Sequence, residues 1–199
     1  LKETFSGVKG AIFLDRDRLS LRGFSGNYGH GVLEELNAEV TELTTKPKYD
    51  LTVKAFFEAG KTLEILKALY AKQSSRVAQQ LEGIEVSGIT GLDLNLQGNL
   101  KELTPSEYSG AIRLKNASFS HQAFLLELST LTGEIAFNKE MLTLKDLKGT
   151  VWESSFSLNG TVDRYRNSPV LDIGIVGELA QETVEALVGE RLRKGLSFG

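Results

Sequence analysis

The chain of 199 residues contains no cysteine, two histidines, one tryptophan and three prolines. Without cysteine it can form no disulfide framework, no thiolate zinc site and no thiol nucleophile. It also lacks a run of about 18 apolar residues, so the sequence predicts no membrane-spanning helix in this segment. Neither sign of charge dominates, because the formal net charge is -3 and the lysines and arginines are spread evenly. With no basic stripe to neutralise a phosphate backbone, we expect no nucleic acid partner.

Signatures of catalysis and of cofactor binding are lacking as well. His30 and His121 stand in no metal-ligand spacing such as His-x-x-x-His, and the chain has no Gly-x-Ser-x-Gly elbow. Ala59–Thr62 is similar to the end of a phosphate-binding loop, but Ala55 stands where that motif needs glycine. We therefore interpret Ala59–Thr62 as the start of a helix, and we predict a protein that is not an enzyme and holds no cofactor or metal.

What the sequence does contain is a repeat. Gly10–Gly26 recurs about 123 positions later as Gly133–Gly149, with the turn residues and the apolar positions in step. The match continues in two further pairs of segments, Leu36–Val40 with Leu158–Val162 and Tyr49–Val53 with Leu171–Ile175. A repeat of this kind indicates a modular architecture, in which function belongs to a surface that the modules share.

Most segments alternate polar and apolar residues with period two, which places the apolar residues on one face of a sheet. Leu92–Gln97 and Leu171–Ile175 are clear examples, and short turn signals separate such segments. This spacing is typical of an antiparallel meander. Sixteen apolar positions are expected to share the inner face of the sheet: Ile12, Leu14, Leu19, Leu21, Leu51, Val53, Leu94, Leu96, Ile135, Phe137, Leu142, Leu144, Phe156, Leu158, Ile173 and Ile175.

Two segments replace the alternation with helical spacing. The first begins at Thr62, which suits an N-terminal cap, and ends before Gly83, which suits a stop. The second carries basic residues in its last turn, where cations stabilise a helix. We predict two β units, residues 1–88 with a helix at about 62–82 and residues 89–199 with a helix at about 181–194. Together they are expected to form one continuous segment of a longer protein.

A sheet with one apolar face must cover that face, and the alternation allows more than one solution. The sheet can close into a sandwich or barrel, or carry helices over the face, with the sixteen residues as an ordinary core. It can instead curl into a trough whose inner face stays open to an apolar ligand. An exposed edge can also pair with a partner strand or with a second copy of the segment. An enzyme would need a cluster of titrating groups in a cleft, and the sequence shows none.

The run from Gly110 to Leu179 resembles the repeat of the AsmA-like superfamily, the bridge-like lipid-transfer proteins of the TamB and YhdP type, and Phe5–Phe57 shows the same strand rhythm more weakly. The resemblance implies a mainly β fold, a repeated meander curled into an apolar groove called a β-taco. It also implies a periplasmic protein that is anchored in the inner membrane by an N-terminal helix and carries phospholipid to the outer membrane. The family has no catalytic residues to transfer to this chain.

The physics of lipid transfer agrees with an apolar groove. Burying a methylene is worth about 0.8 kcal/mol, so an acyl chain of some sixteen carbons needs on the order of 10 kcal/mol of apolar contact to leave a bilayer. We therefore expect the sixteen inner-face residues to contact phospholipid acyl chains, with the helix near residue 62 capping, lining or plugging the trough. The alternative is a structural or interaction module of the cell envelope, with a closed β core and a sheet edge that binds other envelope proteins.

Overall fold

The computed structural model of the chain describes residues 4–70, 83–102, 105–121, 126–151, 154–165 and 168–178. These residues form ten strands and one helix. The elements are β1 Phe5–Asp15, β2 Arg18–Tyr28, β3 Gly31–Thr41, β4 Lys48–Glu58, α1 Ala59–Tyr70, β5 Ile84–Asn99, β6 Glu107–His121, β7 Leu126–Asn138, β8 Met141–Val151, β9 Ser154–Asp163 and β10 Val170–Glu178.

The ten strands form one antiparallel sheet in which every strand pairs with the next one along the chain, from β1 to β10. Short polar turns connect several of the strands, whereas α1 follows β4 before β5 begins. In the β7–β8 turn, for example, the Asn138 side-chain oxygen accepts hydrogen bonds from the backbone amides of Glu140 and Met141, at 2.9 and 2.8 Å. The predicted antiparallel meander is confirmed. Among the described strands β1 and β10 do not pair with each other, so the sheet stays open and the closed sandwich or barrel does not form.

The backbone of β1–β3 recurs in β7–β9. Residues with a left-handed backbone, which L-amino acids rarely adopt, stand at equivalent positions of the two sequence copies. The equivalent pairs are Gly7 and Thr130 with φ of 62° and 54°, Gly23 and Asp146 with 59° and 47°, and Glu42 and Arg164 with 56° and 50°. The repeat is therefore one of backbone conformation as well as of sequence, even where glycine is replaced by a residue with a side chain.

Helix α1 begins at Ala59, directly after β4, so the prediction of Thr62 as its cap was wrong: Thr62 lies inside the helix. Small residues allow the early start, because Ala59 is buried and a side-chain carbon at Gly60 would lie 3.1 Å from the carbonyl oxygen of Val86. The helix packs on β5 and, less extensively, on β4. The rest of the first predicted helix and the whole second one lie outside the described residues, and the division between residues 88 and 89 falls within β5 and stays a prediction.

The sheet has almost no core. Among the described residues only four apolar side chains are buried, those of Ala55, Ala59, Ala117 and Val151. Three of these are alanines, which bury little surface. The two outer strands are the most exposed, and eight of the nine residues of β10 are exposed to solvent. A second layer that would bury the leucines and isoleucines of the strands is therefore missing from the described part of the chain, α1 apart.

Candidate functional site

The register of the sheet decides which side chains share a face, because directly paired residues of antiparallel strands point to the same side. On β4 and β5, Leu51 pairs with Leu96 and Val53 with Leu94. The same pairing continues through every strand, and it places all sixteen residues predicted for the inner face on one side of the sheet. We call this side the apolar face.

Rows of paired residues cross the apolar face at right angles to the strands. One row runs through nine strands without a polar residue: Phe24, Leu36, Val53, Leu94, Gly110, Phe137, Leu142, Val162 and Leu171. Neighbouring strands lie about 4.8 Å apart, so the eight steps of this row cover roughly 38 Å. The apolar face is thus continuous from β2 to β10.

The apolar face is accessible. None of the sixteen residues is buried, and thirteen of them are half-buried. The other three lie on the outer strands, where Ile12, Leu14 and Ile175 expose 63, 75 and 59% of their surface. Monomeric proteins seldom leave so long an apolar surface uncovered without a use for it.

Bulges keep the apolar face continuous. Leu21 and Phe24 are three residues apart and would face opposite sides of a regular strand, yet they pair with Ala38 and Leu36, two residues apart on β3. The extra residue of the bulge in β2, next to Gly23, restores the alternation. In the second copy Leu144 and Leu147 are three apart and pair with Gly160 and Leu158 in the same way.

An asparagine on the neighbouring strand holds each of these bulges. The amide of Gly23 donates to the Oδ1 of Asn37 at 2.8 Å, and the amide of Asp146 donates to the Oδ1 of Asn159 at 2.7 Å. A bulge amide is left without a ladder partner, so the side-chain oxygen supplies one. The sequence analysis missed this role, although the two asparagines occupy the same position of the repeat and could have been found there.

Bulges with a left-handed residue also occur in β1, β6 and β7. Each bends its strand and increases the local twist. The positions are Gly7, Asn116 and Thr130, beside Gly23 in β2 and Asp146 in β8. Five of the ten strands therefore carry such a bulge partway along their length, which favours a bent sheet over a flat one.

The opposite face is mainly polar and carries charges of alternating sign. Lys54 contacts Glu35 at 3.7 Å, and Lys145 contacts Glu134 at 2.7 Å. Cross-strand pairs of opposite charge favour one register over its alternatives. Six strands take part in this ladder, through Glu35, Lys54, Asp93, Arg113, Glu134 and Lys145.

One carboxyl group of the ladder has a shifted pKa. The hydrogen bond from Lys145 lowers the pKa of Glu134, partial burial raises it, and the charges of Lys145 and Arg113 lower it further. The net direction is downward, so the Glu134 carboxylate is stabilised in its charged form. Ion pairing with its neighbours explains this lowered pKa. A carboxyl group with a lowered pKa is ionised near neutral pH, so Glu134 is not a proton donor there.

The described residues contain no cluster of three or more His, Cys, Asp or Glu side chains that could hold a metal ion. Within the same ranges no helix is long and apolar enough to cross a membrane. His30 lies in the turn between β2 and β3, whereas His121 ends β6.

The chain was also compared with known proteins. The family model described as YhdP protein matches residues 5–197, which is nearly the whole chain. No curated protein and no solved structure matches it.

Proposed function

This chain belongs to the YhdP protein family, part of the AsmA-like group of bridge-like lipid-transfer proteins, and we propose that its apolar face binds the acyl chains of phospholipids. Family membership indicates a lipid-transport-related protein of the bacterial envelope. In the proposal the segment is non-enzymatic, lies in the periplasm as part of a protein anchored in the inner membrane, and carries phospholipid between the inner and outer membranes.

The observation that carries the proposal is the continuous, accessible apolar face of an open sheet. Its row of nine paired residues covers roughly 38 Å, whereas one leaflet contributes about 15 Å, half of the 30 Å hydrocarbon core of a bilayer. An acyl chain therefore fits along the row with length to spare. The half-buried state of most of these side chains supports the proposal, because a chain that lies on them would complete their burial.

Transport also requires that lipid is not held at one point. The apolar face is built mainly from leucine, isoleucine and valine, which offer similar contacts at each step along the row. Dispersion contacts of this kind are individually weak and change little when the chain shifts by one methylene. The charged ladder lies on the opposite side of the sheet, so it does not interrupt this path.

Native mass spectrometry of the purified segment, with extraction and identification of any bound lipid, tests the proposal. Leu144→Asp places a charge on the apolar face, and Thr143→Asp places the same charge one residue away on the polar face, where Thr143 pairs with Ala136 and Thr161. Leu144→Asp is expected to lower lipid binding about tenfold or more, because a carboxylate beside an acyl chain loses its hydration. Thr143→Asp is expected to bind lipid as the unchanged chain does.

Leu21→Asp repeats the test on β2 and should also block binding, provided that circular dichroism shows a folded sheet. Equal binding by the two variants at residues 143 and 144 would contradict the proposal. So would a folded, unchanged chain that carries no phospholipid and takes none up from phosphatidylethanolamine and phosphatidylglycerol vesicles. That last result would favour the interaction module, in which the edge of β1 or β10, each paired on one side among the described strands, binds a partner strand.

A further inference from the structure

Aromatic rings on the apolar face lie over glycines of the neighbouring strand. Tyr49 on β4 pairs with Gly98 on β5, and a side-chain carbon at Gly98 would lie 2.8 to 3.0 Å from the Oη, Cζ and Cε1 atoms of Tyr49. Phe137 and Phe24 cover glycines in the same manner. A carbon at Gly110 would lie 2.7 Å from the Phe137 ring and closer still to the backbone oxygen of Asp93, and one at Gly10 would lie 2.5 Å from the Phe24 ring.

At each glycine at least one of these distances is under 3.0 Å, which real side-chain carbons essentially never show, so each ring occupies space that a side chain on the opposite residue would need. A ring over glycine lies against the backbone of the neighbouring strand, whereas a ring beside any larger residue must stand away from the sheet. Glycine weakens a strand by itself, and the ring above it restores apolar contact. The result is a face on which large side chains project little.

We propose that these glycines keep the apolar face level, so that an acyl chain can lie across the aromatic residues instead of being stopped by them. The inference rests on the proposed lipid function, and it assigns Gly98 a positioning role that acts through Tyr49. An alanine at this position would push the Tyr49 ring out into the space that the acyl chain occupies.

Strand β5 offers a matched control. Gly91 pairs with Phe56 on β4, and a carbon at Gly91 would lie 3.0 and 3.4 Å from two atoms of that ring. This second pair lies on the polar face, because residues 91 and 98 are an odd number of positions apart on a strand whose pairing with β4 is regular. Neither Gly91 nor Gly98 has a left-handed backbone, so alanine fits the backbone at both.

The experiment measures uptake of phosphatidylethanolamine from vesicles by the unchanged chain, Gly98→Ala and Gly91→Ala, with urea unfolding of each. Gly98→Ala is expected to weaken lipid binding about fourfold, the factor that corresponds to losing contact with one methylene. Gly91→Ala is expected to bind as the unchanged chain does. The double variant Gly98→Ala with Tyr49→Ala should regain binding, because the displaced ring is gone, whereas a general loss of stability would not be repaired by a second truncation.

Three results would overturn the inference. Equal binding by Gly98→Ala and the unchanged chain would show that ring height does not matter, while the lipid function would stand. A loss of binding that Tyr49→Ala fails to repair, or an equal loss in Gly91→Ala, would show that the glycine acts through general stability. Absence of lipid uptake by the unchanged, folded chain would remove the proposed function and this inference with it.

Discussion

Replacing Gly23 tests whether the bulge in β2 keeps Leu21 and Phe24 on the same face. Its φ of 59° lies in the left-handed region, and a side-chain carbon there would meet no atom within 4 Å. A substitution at Gly23 therefore changes the free energy of its left-handed backbone conformation without bringing the new side-chain carbon into a steric clash. Asp146 provides the comparison, because it holds the same position of the second copy with a φ of 47°.

The two informative substitutions are Gly23→Asp and Gly23→Val. A left-handed backbone costs an L-residue about 1–2 kcal/mol, aspartate tolerates it better than most, and for a β-branched residue it is a true outlier. Replacing glycine also lowers the conformational entropy of the unfolded chain, and this stabilises the folded state by about 0.4–1 kcal/mol, which offsets part of the backbone cost. We expect Gly23→Asp to lower the free energy of unfolding by less than about 1 kcal/mol, and Gly23→Val by about 2 kcal/mol or more.

Urea unfolding followed by circular dichroism measures both differences, and equal slopes against urea concentration would show that the unfolded states are comparable. Asp146→Gly serves as the reciprocal variant and should cost little, because the first copy shows that glycine suits this conformation. The reasoning would be refuted if valine cost no more than aspartate at residue 23. That result would mean that the strand can shift out of the bulge, and the register of Phe24 on the apolar face would then not depend on Gly23.

Two further predictions concern side-chain contacts. Lys145→Met should raise the pKa of Glu134, measured by carbon-13 NMR, because it removes the hydrogen bond and the charge that lower it. Because the pKa of Glu134 is lowered in the folded state, its contribution to stability is present above the ordinary glutamate pKa and is lost as the pH falls through the folded-state pKa. In Lys145→Met we expect this loss of stability at low pH to be smaller. Tyr165→Phe removes hydrogen bonds to Tyr108 (2.6 Å) and to the carbonyl of Asn138 (2.9 Å), so we expect the free energy of unfolding in urea to fall by about 1–2 kcal/mol. An unchanged urea midpoint would contradict this prediction.

Alternation in the sequence was enough to predict the meander and the shared face. The segment around Leu51 and the segment around Leu94 each alternate strictly, and a period of two leaves only one assignment of faces once the strands pair. The start of α1 could not be obtained in this way. It depends on the burial of Ala59 against the sheet, a tertiary contact that outweighs the local capping preference of Thr62.

Bulges were beyond the sequence analysis for a different reason. A strict period of two places Phe24 and Leu147 on the polar face, whereas the structure places both on the apolar face through an extra residue in the strand. Whether a strand contains that residue depends on its partner, here on the oxygen of Asn37 or Asn159. The repeat contains the pattern that would have predicted the bulges. In both copies a leucine is followed three residues later by the next apolar residue, and an asparagine stands at the equivalent position of the next strand.

One-sided alternation also explains why this sheet has no ordinary core. Most of the large apolar residues of the strands lie on the same side, and among the described elements only α1 packs on the sheet, against β5 and β4. The backbone ladder and the charged ladder then hold a sheet whose apolar side chains remain half-exposed. Whatever covers that face contributes free energy to the folded state alone, because the unfolded chain has no such face. In the proposed function, the residues that bind lipid are therefore also the residues whose burial completes the fold.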